Sequence, residues 1–162
     1  SNIDTHLPVS CCAALFGQLE GANPLPFGLS VTLLLVLFYL LYILLILTLK
    51  SGYTMLYIIT NILFIFIAYY AVVYFFGTYI YQLPTHKCPF CILQPEYYYV
   101  GYLLWGSLFM GSYIGLADAV SMLWLRKTNM RSQKLVIGLL SIFVLLCTAY
   151  VTVYYLRNGV LL

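Results

Sequence analysis

Long apolar segments separated by short polar ones are the dominant pattern of this chain. A helix that crosses a membrane needs about 20 consecutive, mostly apolar residues. Four segments meet this length, and they cover residues 27–49, 53–83, 97–125 and 135–156. None of them alternates apolar and polar residues with period two, as a membrane β-barrel strand would. The pattern therefore predicts an all-α fold, an integral membrane four-helix bundle.

The composition narrows the class of protein in the same direction. Of the 162 residues, 64% are hydrophobic and only 7% are charged, whereas a soluble domain carries about 25% charged residues. Because so little charge cannot solvate a globular surface, a water-soluble enzyme, a nucleic-acid module and a disordered chain are excluded. We expect the partners to be the lipid bilayer and other membrane or extracytoplasmic protein subunits, with no nucleic acid.

The distribution of lysine and arginine predicts which helix ends face the cytoplasm, because cytoplasmic loops are enriched in both residues. Five basic residues fall on the side of the first and third loops, and two fall on the other: Lys50, Arg126, Lys127, Arg131 and Lys134 against Lys87 and Arg157. We therefore expect both termini and the second loop to be extracytoplasmic, as in a protein of the bacterial inner membrane.

Little of the chain is expected to lie outside the bilayer. Residues 1–26 form an extracytoplasmic N-terminal segment that is too short and too polar to cross it. Residues 27–156 form the membrane domain, in which an outer loop, 84–96, joins the second and third helices. Residues 157–162 are expected to form an extracytoplasmic tail.

Residues capable of chemistry concentrate on the predicted outer side. The N-terminal segment and the outer loop each contain one histidine and one close pair of cysteines: His6, Cys11 and Cys12 in the first, His86, Cys88 and Cys91 in the second. This asymmetry is the main functional feature of the sequence.

The motif Cys88-Pro89-Phe90-Cys91 admits three interpretations. At the start of a helix the two sulfurs can form a redox-active disulfide, and the helix N-terminus with Lys87 and His86 lowers a thiol pKa. Alternatively, the pair is half of a tetrahedral Cu or Zn site. The candidate ligands of that site are His6, His86, Cys11, Cys12, Cys88 and Cys91. The third interpretation is a structural disulfide in an oxidising compartment.

The adjacent pair Cys11 and Cys12 leaves similar alternatives open. A disulfide between neighbouring residues is strained and therefore easily reduced, as a catalytic or sensing disulfide is. Adjacent thiols also bind soft metal ions such as Cu(I). A simpler arrangement is one crosslink to the outer loop together with a spare or lipid-modified thiol. In the redox interpretation all four cysteines are catalytic.

Polar and small residues mark the inner faces of the predicted helices. Asp118 is the only charged residue deep in a span, and such carboxylates face the bundle interior by default. A proton route, a quinone hydrogen bond, an ion pair and a plain interhelical hydrogen bond all fit it. Asn61 is expected to bond between helices. Small residues recur every fourth position on the face of Asp118 and allow close approach of a helix or another subunit: Gly111, Gly115 and Ala119.

Aromatic residues gather at the outer end of the predicted bundle. Trp105 and many tyrosines lie there, among them Tyr81, Tyr97 and Tyr98. An aromatic belt at the membrane–water interface explains such a distribution. Cys147, midway along the fourth span, is expected to be a buried small hydrophobe.

The layout resembles two families of membrane thiol oxidoreductases, disulfide-bond protein B and vitamin K epoxide reductase. The run Cys88-Pro-Phe-Cys91-Ile92, leading into an aromatic span that contains glycine, is similar to the start of the quinone-proximal helix of the first family. The resemblance implies a four-helix bundle in which Cys88 and Cys91 face quinone. It also implies that Cys11 and Cys12 meet the thiols of a partner protein.

Three functions fit these observations, and the sequence leaves open whether the protein is an enzyme. The favoured hypothesis is extracytoplasmic thiol–disulfide redox chemistry at Cys88 and Cys91, coupled to a membrane quinone or a partner protein. One alternative is a non-catalytic accessory subunit of a larger, respiratory-type membrane complex. The other is a membrane protein that binds Cu or Zn.

Overall fold

The computed structural model describes residues 30–82, 88–126 and 129–161. Within these ranges the chain forms four long helices and no strand. They are α1 (Val31–Ser51), α2 (Thr54–Tyr81), α3 (Val100–Leu125) and α4 (Met130–Asn158). Each is long and apolar enough to cross a membrane, which indicates an integral membrane protein. Several residues singled out from the sequence lie outside the described ranges: His6, Cys11, Cys12, His86, Lys87 and Lys127.

The ends of α1 and α4 are set by local capping. The side chain of Ser30 accepts a hydrogen bond from Leu33 N at 3.2 Å, and α1 ends at Gly52 in the left-handed conformation, with φ 77°. The side chain of Asn129 accepts from Arg131 N at 3.1 Å. Because of this cap, α4 starts at Met130 and not at the predicted residue 135. Its first turns include basic residues that the sequence pattern assigned to a loop.

The end of α2 is irregular. Its regular part, Thr54–Ala71, leads into a π-helical turn, Val72–Phe76, and then into a last α-helical stretch, Gly77–Tyr81. A Cβ atom on Gly77 would lie 2.7 Å from the carbonyl oxygen of Val72, so this crowded turn requires glycine. The helix stops at Gln82, whose φ of 55° is left-handed, and the predicted span 53–83 is correspondingly shortened.

The start of α3 is delayed by two tyrosines. Tyr98 and Tyr99 both adopt left-handed backbone conformations, with φ 53° and 54°. Such conformations cannot continue a right-handed helix and are costly for residues other than glycine. The helix therefore begins at Val100, and the predicted start at residue 97 is wrong because Tyr97 belongs to a separate short turn.

The centre of the bundle is an aromatic cluster. The ring of Phe38 in α1 lies 5.6 Å from Phe64 and 5.2 Å from Phe76 in α2, and 6.0 Å from Phe143 in α4, measured between centroids. All four rings are fully buried, and such contacts stabilise a core beyond the area they bury. The helix α3 packs chiefly on α4 and also on α2, while α1 packs chiefly on α2.

Hydroxyl pairs join α1 directly to α4. Tyr39 and Thr148 share a hydrogen bond of 2.8 Å, and Tyr42 and Ser141 share one of 2.7 Å. Cys147 is fully buried beside these contacts. The opposite faces of the helices carry many exposed large apolar side chains, as expected of surfaces that meet lipid and not water.

Candidate functional site at the cysteine end

The described part of the loop between α2 and α3, from Cys88 to Tyr97, folds back over the adjoining ends of these two helices. We call this end of the bundle the cysteine end. This part of the loop consists of two short 3₁₀ turns, Cys91–Leu93 and Pro95–Tyr97. Main-chain hydrogen bonds close the first turn, from Leu93 N to Phe90 O at 3.0 Å and from Gln94 N to Cys91 O at 3.1 Å. Cys91 therefore opens a single 3₁₀ turn and does not start a long helix.

Both cysteines of the motif are buried. Cys88 is 1% exposed and Cys91 is 2% exposed, and both belong to the hydrophobic core together with Ile92. Phe90, between them, is 65% exposed. An apolar environment disfavours the charged thiolate that attacks disulfides. The motif is therefore an internal feature of the cysteine end, with an apolar side chain on its outer surface.

The hydroxyl group of Tyr81 holds the motif from the side of α2. It donates a hydrogen bond to the carbonyl oxygen of Cys88 and accepts one from Ile92 N at 3.1 Å. Tyr81 is the last residue of α2 and is 7% exposed. One phenol thus bridges the two ends of the segment 88–92, which we call the cysteine turn.

The helix α3 holds the same turn from the other side. Trp105 Nε1 donates a hydrogen bond to the carbonyl oxygen of Pro89 at 3.1 Å. The indole ring lies 5.8 Å from Tyr69 of α2 and 5.8 Å from Phe109 of α3, between ring centroids. Because two helices anchor its main chain, the turn is fixed relative to both.

Glycine at position 101 allows the turn to lie directly on α3. A Cβ atom there would lie 2.8 Å from the carbonyl carbon, the carbonyl oxygen and the Cγ1 atom of Ile92. Contacts this short do not occur between a real Cβ and main-chain atoms, so any larger residue must displace the turn.

Tyr97 packs against Tyr81 next to the cysteines. Its ring meets that of Tyr81 edge to face, with centroids 4.9 Å apart. Burial raises the pKa of Tyr97 above its ordinary value, and negative charge on Cys91 or Glu96 raises it further. Tyr97 therefore stays a neutral phenol at physiological pH and can donate a hydrogen bond.

The metal-binding alternative depends on residues outside the described ranges. Within 30–82, 88–126 and 129–161, no group of three or more His, Cys, Asp or Glu side chains is placed to hold a metal ion. Cys88 and Cys91 would need two further ligands for tetrahedral Zn. The further candidate ligands named from the sequence are the two histidines and the two N-terminal cysteines, which lie outside the described ranges: His6, His86, Cys11 and Cys12.

A second polar cluster lies inside the bundle, where α2 meets α3. Asn61 is fully buried, and its Nδ2 donates to the carbonyl oxygen of Ser112 at 3.1 Å and lies 3.4 Å from the hydroxyl of Tyr57. Among the residues that the structure describes, Asn61 Oδ1 and Ser112 Oγ find no hydrogen-bond partner, although both atoms are buried. Asp118 is half-buried, farther along α3. Asn61 thus bonds between helices, and Asp118 lies apart from the cysteine end.

The small residues of α3 pack against the other helices of the same chain. A Cβ on Gly111 would lie 3.0 Å from the side chain of Leu140 in α4, and one on Gly115 would overlap the hydroxyl of Tyr57 in α2. Ala119 is buried on the same side of the helix. The stripe therefore serves the packing of α3 against α2 and α4.

The residues that hold the cysteine turn were not predicted from the sequence. Tyr81 and Trp105 were assigned to an aromatic belt, and Gly101 and Tyr57 were not singled out. A glycine in the first turn of a helix, a few residues after the motif, was the available indication that main chain approaches there.

The fold and the site define an integral membrane protein whose described residues form four long helices and bury a pair of cysteines at one end of the bundle. No protein-family model, curated protein or solved structure matches this chain. Its function is therefore inferred from its own residues.

Proposed function

We propose that this protein is a membrane thiol–disulfide oxidoreductase in which Cys88 and Cys91 are the redox pair. The observation that supports the proposal best is the anchoring of the cysteine turn, whose main chain is held by Tyr81 from α2 and by Trp105 from α3. A turn fixed on both sides keeps the two sulfur atoms in one relative position, so that forming or breaking a bond between them need not move the helices.

The proposed reaction is the oxidation of the two thiols by a membrane quinone. Cys88 and Cys91 lose two protons and two electrons and form one sulfur–sulfur bond, and the quinone gains the same protons and electrons and becomes a quinol. The disulfide then oxidises the thiols of a partner protein by exchange. Burial of the pair suits an apolar oxidant, and the exposed ring of Phe90 offers an apolar surface next to both cysteines.

The orientation of the protein in the membrane and the role of the second cysteine pair are proposed from the resemblance to the disulfide-bond protein B and vitamin K epoxide reductase families. In this proposal the cysteine end faces the extracytoplasmic side of a bacterial inner membrane. Cys11 and Cys12 pass oxidising equivalents between the buried pair and the partner protein. The basic residues at the other end of the bundle support this orientation.

The test is the thiol state of the full chain, purified in detergent without reductant. Each thiol is counted with a maleimide mass tag before and after mild reduction, and the reduced protein is then mixed with a short-chain ubiquinone. We expect two thiols to be lost for each equivalent of quinone that is reduced to quinol. The Cys88→Ser and Cys91→Ser variants should not show this loss, whereas the control Cys147→Ser, which removes the buried thiol of α4, should show it in full.

Two outcomes contradict the proposal. If the cysteines react with maleimide only after chelation, a metal ion binds them and the Cu or Zn alternative holds. If a disulfide is present but resists reduction, or if quinone does not restore it, the cysteines are structural.

The second candidate function is a non-catalytic accessory subunit of a larger membrane complex. The nearly complete burial of Cys88 and Cys91 favours it, because buried cysteines are commonly plain packing residues. Replacing both by serine would then leave the assembly and activity of that complex intact, which separates this function from the redox proposal.

A further inference from the structure

The end of the bundle opposite the cysteine end carries most of the positive charge of the sequence, and we call it the basic end. All four helices meet there, because each contributes a residue to the wall of one small cavity: Leu49, Thr54, Met122 and Gln133. Five of the seven lysine and arginine residues of the sequence fall at these helix ends or in the connection between α3 and α4: Lys50, Arg126, Lys127, Arg131 and Lys134. The charge is therefore gathered around one end of the bundle.

The positive charges of the basic end are directed outward. All four basic side chains that the structure describes there are exposed: Lys50, Arg126, Arg131 and Lys134. None of these side chains forms a hydrogen bond or an ion pair with another described residue. Of the acidic residues within the described ranges, Glu96 belongs to the cysteine end and Asp118 is half-buried, about two turns before the end of α3. The described residues therefore leave the charge of this end open to an anion from outside.

The connection between α3 and α4 concentrates this charge at one corner. Arg126 follows Leu125, the last residue of α3, and α4 begins at Met130. The short connection therefore puts Arg126 and Arg131 at the same corner of the bundle. Arg131 and Lys134 are three residues apart, so they are neighbours on the surface of α4. The first turn of α4 contains no acidic residue, although negative charge is favoured at this end of a helix. The basic side chains repel one another there, and a bound anion would relieve the repulsion.

Aromatic side chains near this corner indicate its depth in the membrane. Trp124, two residues before Arg126, is 88% exposed, and Tyr53, between α1 and α2, is 68% exposed. Tryptophan and tyrosine are enriched at the level of the lipid headgroups. Long basic side chains at the ends of membrane helices extend to the same level. Phosphate groups of lipids are therefore the anions closest to this corner.

We propose that the basic end binds an anionic phospholipid, with Arg126, Arg131 and Lys134 around its headgroup and Trp124 beside its acyl chains. The guanidinium group of arginine matches phosphate oxygens with paired N–H donors. Because a zwitterionic headgroup carries a positive group of its own, it gains less from these side chains. An acidic protein surface would satisfy the charges alone, whereas the exposed indole of Trp124 favours a lipid.

The experiment uses Trp124 to report which lipid lies beside it. The full chain is reconstituted in phosphatidylcholine vesicles that contain a small, variable share of brominated phosphatidylglycerol or brominated phosphatidylcholine, since bromine quenches tryptophan fluorescence on contact. We expect half-maximal quenching at an at least about fivefold lower share of phosphatidylglycerol, the preference that one basic residue near a charged surface supplies. High salt should reduce the preference. Because both leaflets contain the brominated lipid, insertion in either direction gives the same result.

Variants assign the preference to the corner. The sequence contains two tryptophans, so Trp124→Phe measures the quenching that belongs to Trp105 and allows it to be subtracted. The double change Arg126→Gln and Arg131→Gln should abolish the preference for phosphatidylglycerol. Arg157→Gln is the matched control, because Arg157 is an exposed basic residue in the last turn of α4, at the cysteine end, and its loss should leave the preference unchanged.

Three results would overturn the proposal. If both brominated lipids quench Trp124 equally, the corner does not select an anionic lipid, and its charges serve orientation or an acidic protein. If the double variant keeps the full preference, the lipid binds elsewhere. If inorganic phosphate abolishes the preference when chloride of equal ionic strength does not, the corner binds free phosphate and not a lipid. None of these results affects the proposed chemistry of Cys88 and Cys91.

Discussion

The hydroxyl of Tyr81 is hydrogen-bonded to the carbonyl oxygen of Cys88, so the last residue of α2 is joined directly to the first residue of the cysteine motif. The hydroxyl oxygen of Tyr81 also accepts a hydrogen bond from Ile92 N. The geometry of the cysteine turn therefore depends on one phenol, which the sequence does not distinguish from the many other tyrosines at this end.

Replacing Tyr81 by phenylalanine should loosen the cysteine turn. The change leaves a buried carbonyl and a buried N–H without their partner, which costs about 1–3 kcal/mol. We expect a lower melting temperature and faster labelling of reduced Cys88 and Cys91 by maleimide in the folded protein. Tyr102→Phe is the control, because that side chain is 64% exposed on α3. Equal labelling rates in the two variants would show that the phenol does not restrain the turn.

Replacing Gly101 by alanine should displace the cysteine turn from α3. The new methyl group would lie 2.8 Å from main-chain atoms of Ile92, and overpacking of this kind costs about 1–3 kcal/mol. Gly106→Ala, in the same helix, meets no atom within 4 Å. It should instead stabilise α3 by about 0.5–1 kcal/mol. Thermal unfolding of both variants in one detergent measures the difference, and a Gly101→Ala chain as stable as wild type would contradict the packing described.

Replacing Gly115 by alanine should disturb the contact between α2 and α3. The added methyl would overlap the hydroxyl of Tyr57, which is 2% exposed and cannot move into solvent. We expect a loss of about 1–3 kcal/mol in stability, measured by thermal unfolding. Gly138→Ala on α4 is the control because nothing lies within 4 Å of that position. If both variants have the same melting temperature, the Tyr57 side chain can adopt another position without loss of stability.

The two buried serines of α3 should respond in opposite ways to replacement by alanine. Ser112 is 1% exposed and its hydroxyl has no partner, so its removal should stabilise the chain by about 1 kcal/mol or more. Ser107 is 4% exposed and donates to Leu104 O at 3.0 Å, so its loss should be neutral or mildly destabilising. Melting curves of the two variants, recorded in parallel, test the sign of each change in stability. Destabilisation by Ser112→Ala would mean that the Ser112 hydroxyl makes a hydrogen bond in the folded protein.

The four helices could be predicted because a membrane span is a local property of composition. Each contains enough consecutive apolar residues to cross a bilayer, whatever its neighbours are. Their ends were less certain. The start of α4 was not predicted because basic residues in its first turns are typical of a loop between membrane spans. The start of α3 was not predicted because the identity of Tyr98 and Tyr99 as tyrosines does not indicate a left-handed backbone.

The candidate site was predictable in its residues but not in its surroundings. A C-x-x-C motif is visible in any sequence, whereas its burial depends on how the ends of two distant helices meet. Ser107 and Ser112 look equivalent in the sequence, and only the structure shows that one hydroxyl is bonded and the other is not. The contacts of Tyr81 and Trp105 are likewise a result of tertiary packing.

The π-helical turn Val72–Phe76 sets the direction in which Tyr81 points. An α-helix rotates by about 100° for each residue added, and a π turn holds one residue more than an α turn. If the same residues were wound as a regular α-helix, with none removed, the end of α2 would be rotated by about that angle, and the phenol would be carried around the helix, away from the cysteines. The contact at the cysteine end therefore depends on one surplus residue inserted two turns earlier in the helix.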